Sequence, residues 1–146
     1  MKTRAGIGLV FCGGMLGTLL RYGVNQSWGP QRLWAATLMV NLVGAFALGL
    51  LVGWVSTHPR LSPGPASAYR LLLGTGMLGG FTTYSTFASL SANYQDAGDL
   101  ARALGYGAAT VGIGLLASAA GLWAGRRRGQ LQGADTPGAH GQEPAA

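Results

Sequence analysis

"GTGMLGGFTTYSTFASL", residues 74–90, lies within a stretch long enough to cross a bilayer, yet glycine, hydroxyl and aromatic residues dominate it. Gly79 and Gly80 carry no side chains, and Thr82, Thr83, Ser85 and Thr86 crowd hydroxyls together directly after them. An unwound turn at membrane depth is tolerated only where it is buried in protein or lines a cavity, because its freed amides and carbonyls need partners. Broken spans in transporters use such carbonyls to hold cations. Tyr84 and Phe87 stand three residues apart, on one side of the resumed helix. An aromatic ring has a negative face and a positive edge, so ring edges can meet an anion that ring faces repel.

The chain around this stretch has 146 residues, 49% hydrophobic and 10% charged, with 26 glycines. That length allows one domain, and the low charge with long apolar runs places it in the membrane class. The net charge of +6 comes from scattered or terminal basic residues with no aromatic interleaving. Nucleic-acid binding is therefore disfavoured; the positive charges read as headgroup attraction or topology signals. Cys12 is the single cysteine, so an intrachain disulfide and a cysteine-based zinc site are excluded. His58 and His140 lie far apart and outside the apolar runs, which argues against a metal site built on them. The opening "MKTRAGIGLVFCGG" is similar to a signal peptide, but the apolar pattern continues to Leu20 without a small-residue cleavage site. It reads as a retained first span, and bulky Phe11 before Cys12 weakens a lipoprotein reading.

Four apolar stretches follow, at about Ala5–Tyr22, Leu33–Ser56, Tyr69–Leu90 and Leu100–Gly125. Each approaches the ~20 residues a bilayer demands. Trp34 and Trp54 bracket the second, and at 1.5 Å per residue their separation is about 30 Å, the hydrocarbon thickness. Trp123 does the same for the fourth, just before Arg126, Arg127 and Arg128. "NQSWGPQR", "THPRLSPGPAS" and "SANYQDAGD" read as loops. The organisation is all-α: residues 1–125 form a four-span domain, and residues 126–146 a basic boundary and a tail, disordered from Gly129 onward. Glycines recur at helical spacing in Gly13/Gly17, Gly49/Gly53, Gly76/Gly80 and Gly121/Gly125. Close helix–helix packing is the plain reading, because lipid supplies no hydrophobic drive between helices.

Polar groups within the spans go further. Arg21 either snorkels to the headgroups or faces a wet vestibule where it concentrates anions. Asn41 either joins two helices by an amide hydrogen bond or offers its NH2 group to an anion. Tyr106, Thr110, Gly114 and Ser118 form an i+4 series on one helix face. Their hydroxyls either pass an ion along or bond back to their own helix carbonyls. The acids Asp96, Asp99, Asp135 and Glu143 all fall outside the apolar stretches. A span without a carboxylate or histidine argues against a proton-coupled exporter, and no nucleophile–base or acid pair supports an enzyme.

"GGMLGTLLRY" (13–22), "NLVGAFALG" (41–49) and "GMLGGFTTYSTF" (76–87) resemble the three signature blocks of the CrcB/Fluc fluoride channels. The third block is the specific one. The resemblance covers roughly residues 5 to 125 and implies a small four-span subunit in an antiparallel dimer that lets fluoride leave the cell passively. It implies that span three breaks at Gly79–Thr82. The backbone carbonyls of Gly79 and Thr82 from both subunits then hold a structural sodium ion at the dimer centre. Tyr84 and Phe87 match the pore aromatics whose edges face fluoride, and Arg21 matches the vestibule arginine. Asn41, Ser85, Thr86, Tyr106 and Thr110 supply hydrogen-bond donors. Two departures stand out: Tyr84 where phenylalanine is commoner, and Gly114 where a serine is expected.

Readings from other classes are a four-span multidrug or cation exporter and a non-transporting subunit of a larger membrane complex. The missing intramembrane carboxylate weighs against the first, and the hydroxyl–aromatic cluster against the second. For orientation, Lys2, Arg4, Arg60, Arg70 and Arg126–Arg128 fall on the side of the termini, and Arg32 and Arg102 opposite, with Arg21 near them. Positive-inside then favours cytoplasmic termini. An antiparallel homodimer needs both insertions, so either it tolerates the bias or a homologous subunit of opposite bias completes a heterodimer; the homodimer is the preferred expectation.

Overall fold

The computed structural model describes residues 3–58 and 61–134. Its elements are α1 (Thr3–Trp28), a 3-10 turn (Pro30–Arg32), α2 (Leu33–Thr57), α3 (Pro63–Tyr69), a π-helical segment (Arg70–Leu78), α4 (Gly79–Phe81), α5 (Ser85–Asp96) and α6 (Leu100–Ala134). Three helical stretches are long and apolar enough to cross a membrane: Thr3–Trp28, Pro30–Thr57 and Leu100–Gln132. Large apolar side chains such as Phe11, Leu19, Leu104 and Leu116 point outward from them, as a bilayer solvent permits. The third apolar stretch instead begins at the end of α3 and is divided among the π-helical segment, α4 and α5.

The helices outrun the apolar stretches. Asn25–Trp28, Pro63–Ser67 and Ser91–Asp96 are helical, against the expectation of loops there. Hydropathy marks the hydrocarbon depth, whereas helix ends are set by caps. Gly29, at φ 70° and ψ 168°, ends α1 in a positive-φ conformation that glycine accepts without a Cβ penalty. Gly98, at φ 75°, ends α5, with Asp99 N–H reaching back to the Tyr94 carbonyl at 2.8 Å. Asp99 Oδ1 then accepts the Arg102 amide at 3.1 Å and starts α6. Pro63 opens α3, a first-turn position where its missing N–H costs nothing.

At its far end α6 runs through Gly129 to Ala134, so helix replaces the first part of the expected tail. The reason lies in α2: Thr57 Oγ1 reaches the Arg126 carbonyl at 3.3 Å, and Trp54 Nε1 donates to Gln132 Oε1 at 3.0 Å. Residues 135–146 lie outside the described residues. Arg127 sits 4.0 Å from the Trp123 ring centroid, a cation–π contact at the end of the apolar part of α6.

The glycine pairs pack helices in parallel. A Cβ on Gly13 or Gly17 would strike backbone of Leu72–Phe81, and one on Gly76 or Gly80 would strike backbone of α1. Likewise Gly49 and Gly53 meet the backbone of Ser118–Arg126, and Gly121 and Gly125 meet Phe46–Trp54. Residue numbers rise together across both contacts, so α1 runs alongside the third stretch, and α2 alongside α6. Against α2 the third stretch runs the other way: Tyr69 stacks edge-on to Trp54 at 5.6 Å, Gly74 faces Leu48 and Leu51, and Thr83 meets Asn41. Ala36, Thr37 and Val40 of α2 are fully buried. Thr83 and Leu78 of the third stretch are buried too, so the packed centre coincides with the place where that stretch leaves its helix.

Candidate functional site

Thr82 ends α4. Its N–H and its Oγ1 both donate to the Leu78 carbonyl, at 2.9 and 2.8 Å, and its ψ of 158° turns the chain into an extended path. Thr83 follows, outside the helices and buried. Its N–H donates to Asn41 Oδ1 at 2.9 Å, and its carbonyl accepts from Asn41 Nδ2 at 3.1 Å. A backbone amide can only donate, so the Thr83 N–H fixes which end of the Asn41 side chain carries oxygen. Asn41 thus takes both backbone groups of Thr83, as a neighbouring strand would.

The chain then restarts. Thr83 Oγ1 accepts the Thr86 amide at 3.3 Å, the geometry of a helix N-cap, and lies 3.2 Å from Ser85 Oγ. Gly44, one turn beyond Asn41 on the same face of α2, has no room for a Cβ because the Thr82 methyl occupies that space. In a continuous helix the Thr83 and Thr86 amides would close onto the carbonyls of Gly79 and Thr82, four residues back. Here those amides go to Asn41 Oδ1 and Thr83 Oγ1, which leaves both carbonyls without their helical donors.

The unwound residues are therefore Thr82–Tyr84, and Gly79 remains helical at φ −64° and ψ −37°. The break expected at Gly79–Thr82 shares Thr82 with this interruption. Glycine weakens a helix but supplies no alternative hydrogen bond, so unwinding occurs where Asn41 and the Thr83 hydroxyl provide one. The preceding Arg70–Leu78 is wound as a wider π-helix; such turns are frequent at functional sites.

A cleft of about 470 Å³ lies beside the break, lined in part by Asn41, Gly79, Thr82, Thr83, Tyr84, Phe87 and Thr110. Tyr84 projects outward, 79% exposed, with its ring 5.8 Å from that of Phe87. Phe87 in turn stacks on Tyr106 at 5.6 Å and 24°. Of the remaining candidates, Thr110 lines this cleft, whereas Ser85, Thr86, Tyr106 and Arg21 do not. Ser85 and Thr86 turn toward the Thr83 hydroxyl. Tyr106 donates its hydroxyl to the Trp34 carbonyl at 3.3 Å, and Thr110 Oγ1 bonds back to the Tyr106 carbonyl at 2.7 Å. Of the two readings of the α6 hydroxyls, back-bonding is what Thr110 does within the subunit. Gly114 faces open space. Arg21 is half-buried on α1, away from the lining, and among the described residues has no ion-pair or hydrogen-bond partner.

Two participants lay unread in the sequence: Thr83 as clamped residue and cap, and Gly44 as the surface that admits Thr82. A threonine ahead of the resumed helix is an N-cap signal. Asn41 and Gly44 at i, i+3 share one helix face. No group of three or more His, Cys, Asp or Glu among the described residues could hold a metal ion. A cation at this place would rest on backbone or hydroxyl oxygen.

A profile of the family described as CrcB-like protein, Camphor Resistance (CrcB), matches residues 8–122. A "Fluoride-specific ion channel FluC" of Beijerinckia indica is 44% identical over 110 residues, covering 73% of this chain and 85% of the relative. A protein of the same description from Pseudomonas fluorescens is 41% identical over 117 residues, covering 77% and 90%. One from Chloroflexus aurantiacus is 40% identical over 118 residues, covering 78% and 90%.

Proposed function

The chain belongs to the CrcB family, and we propose on that premise that it is a fluoride-specific ion channel, a multi-pass protein of the cell membrane, through which fluoride leaves the cell passively. The observation that carries the reading is the cleft at the helix break, where an amide, a hydroxyl and two aromatic rings converge without a carboxylate. Fluoride is small and strongly hydrated, so a pathway must replace its water with dense neutral donors and positive ring edges. Asn41 Nδ2 carries two hydrogens; the Thr83 carbonyl takes one, and the other is available to an anion. Tyr84 and Phe87 supply ring edges. Thr110, Tyr106, Ser85 and Thr86 border the route, and Arg21 raises the local anion concentration at its mouth.

The third stretch is the fourth crossing in this reading, broken near its middle. Support comes from its ends: Tyr69 lies at Trp54, and Tyr94 lies 6.4 Å from Tyr106, whose hydroxyl meets Trp34. Those contacts support its covering the same depth as α2. The functional unit is an antiparallel dimer, preferably of identical subunits. A structural sodium ion at its centre is held by the carbonyls of Gly79 and Thr82 from both copies. The residues fit that ion: both carbonyls lack their helical amides, and Gly79 is exposed, with nothing of its own subunit near a Cβ position. Neutral hard oxygens suit a monovalent hard cation. Sodium bound there supplies the positive charge that satisfies the freed carbonyls and joins the two subunits.

The test is efflux from liposomes holding the purified protein, followed with a fluoride electrode beside a chloride control. Fluoride release with chloride retained is expected. Equal chloride release, or no fluoride release from folded protein, would sink the assignment.

A further inference from the structure

We infer that Asn41 and Thr83 form a clamp that holds the break open, and that cation binding at the Gly79 and Thr82 carbonyls depends on it. The inference rests on the sodium site proposed above. Its ground is the correspondence between two sets of hydrogen bonds. The Thr83 amide is the natural helical partner of the Gly79 carbonyl, and Asn41 Oδ1 holds it at 2.9 Å instead. The Thr86 amide is the natural partner of the Thr82 carbonyl, and Thr83 Oγ1 draws it away at 3.3 Å. The Asn41 Nδ2 bond to the Thr83 carbonyl, at 3.1 Å, anchors the other side of the same residue, so that its amide cannot swing back. Close contact of Thr82 with Gly44 holds the preceding residue against α2.

The Gly79 and Thr82 carbonyls are thus each matched by one diverted amide. Without the clamp, the cheapest way to satisfy buried amides in a bilayer is to continue the helix through Thr82–Tyr84. That would return a donor to each carbonyl and remove it as a cation ligand. Asn41 is accordingly a positioning residue for the cation site as well as a donor facing the cleft. Thr83, whose hydroxyl is largely consumed within the subunit, positions the second carbonyl.

The experiment measures thermal stability of the full-length dimer in detergent against sodium concentration, with N-methylglucamine as the replacement cation. Wild type should gain stability with sodium; if it gains none, the sodium reading itself fails. Given that gain, Asn41→Leu should need about 10- to 100-fold more sodium for the same shift, the usual loss when a residue that orients metal ligands is removed. Asn41→Asp keeps an oxygen for the Thr83 amide but loses the donor to the Thr83 carbonyl, so it should lose part of the sodium response together with fluoride flux. Asn41→Leu responding to sodium as wild type does would overturn the clamp. If Asn41→Leu yields no folded dimer, Thr83→Val decides. It keeps a β-branched residue but no cap oxygen, so a weakened sodium response supports the clamp and an unchanged one overturns it.

Discussion

Phe87→Ile separates a ring edge that faces an ion from a ring that fills space. Phe87 has two ring neighbours, Tyr84 at 5.8 Å and Tyr106 at 5.6 Å. Each such pair contributes about 0.5–1.5 kcal/mol beyond its buried area, so losing both costs roughly 1–3 kcal/mol. That is below the 5–15 kcal/mol or so by which folded domains exceed their unfolded chains, and isoleucine retains most of the apolar area. The subunit should therefore remain folded. If the ring edge interacts with fluoride about as strongly as with another ring, its loss raises the barrier by ~0.5–1.5 kcal/mol and slows flux by roughly 2- to 13-fold. The assay is fluoride efflux from liposomes at matched protein density, with size-exclusion elution reporting the dimer. Phe87→Tyr, which keeps the ring, should conduct far better than Phe87→Ile. Wild-type flux through Phe87→Ile, with the dimer intact, would refute a role for the ring edge and leave Phe87 as packing.

The neighbouring glycines should part company on substitution. A Cβ at Gly80 would strike the Gly14 carbonyl, so Gly80→Val should destabilise the subunit by about 1–3 kcal/mol or more, read as a lower unfolding temperature. Gly79 has open space and ordinary helical angles, so Gly79→Val should leave the subunit folded and weaken the dimer; a fully stable dimer would remove Gly79 from the subunit interface. Orientation can be read by cysteine labelling from outside intact cells, with exposed Cys12 first changed to serine and single cysteines placed at Ala97 and Gln130. Both sites should label in a homodimer, whereas one labelled site and no flux from the chain alone would favour a heterodimer.

Membrane location, all-helical class and the family are carried by local sequence properties. Apolar runs bracketed by tryptophan and arginine follow from the price of polar groups in hydrocarbon, and that constraint acts residue by residue. The glycine pairs were legible for the same reason, since absence of a side chain is a property of one position. Helix ends were not: Pro63, Asn25–Trp28 and Gly129–Ala134 are helical because of caps and of contacts with Trp54 and Thr57, which hydropathy does not register.

The candidate site divides the same way. Hydroxyls and glycines clustered in "GGFTTYSTF" marked where the third stretch would loosen. Only the tertiary structure shows the interruption at Thr82–Tyr84. A helix breaks where its amides find better partners, and the decisive one is Asn41, 42 residues earlier in the chain. The i, i+3 face of Asn41 and Gly44 meets Thr82 and Thr83 only after α2 and the third stretch have packed antiparallel. Which carbonyls become free is therefore fixed by a contact between helices that no single helix encodes.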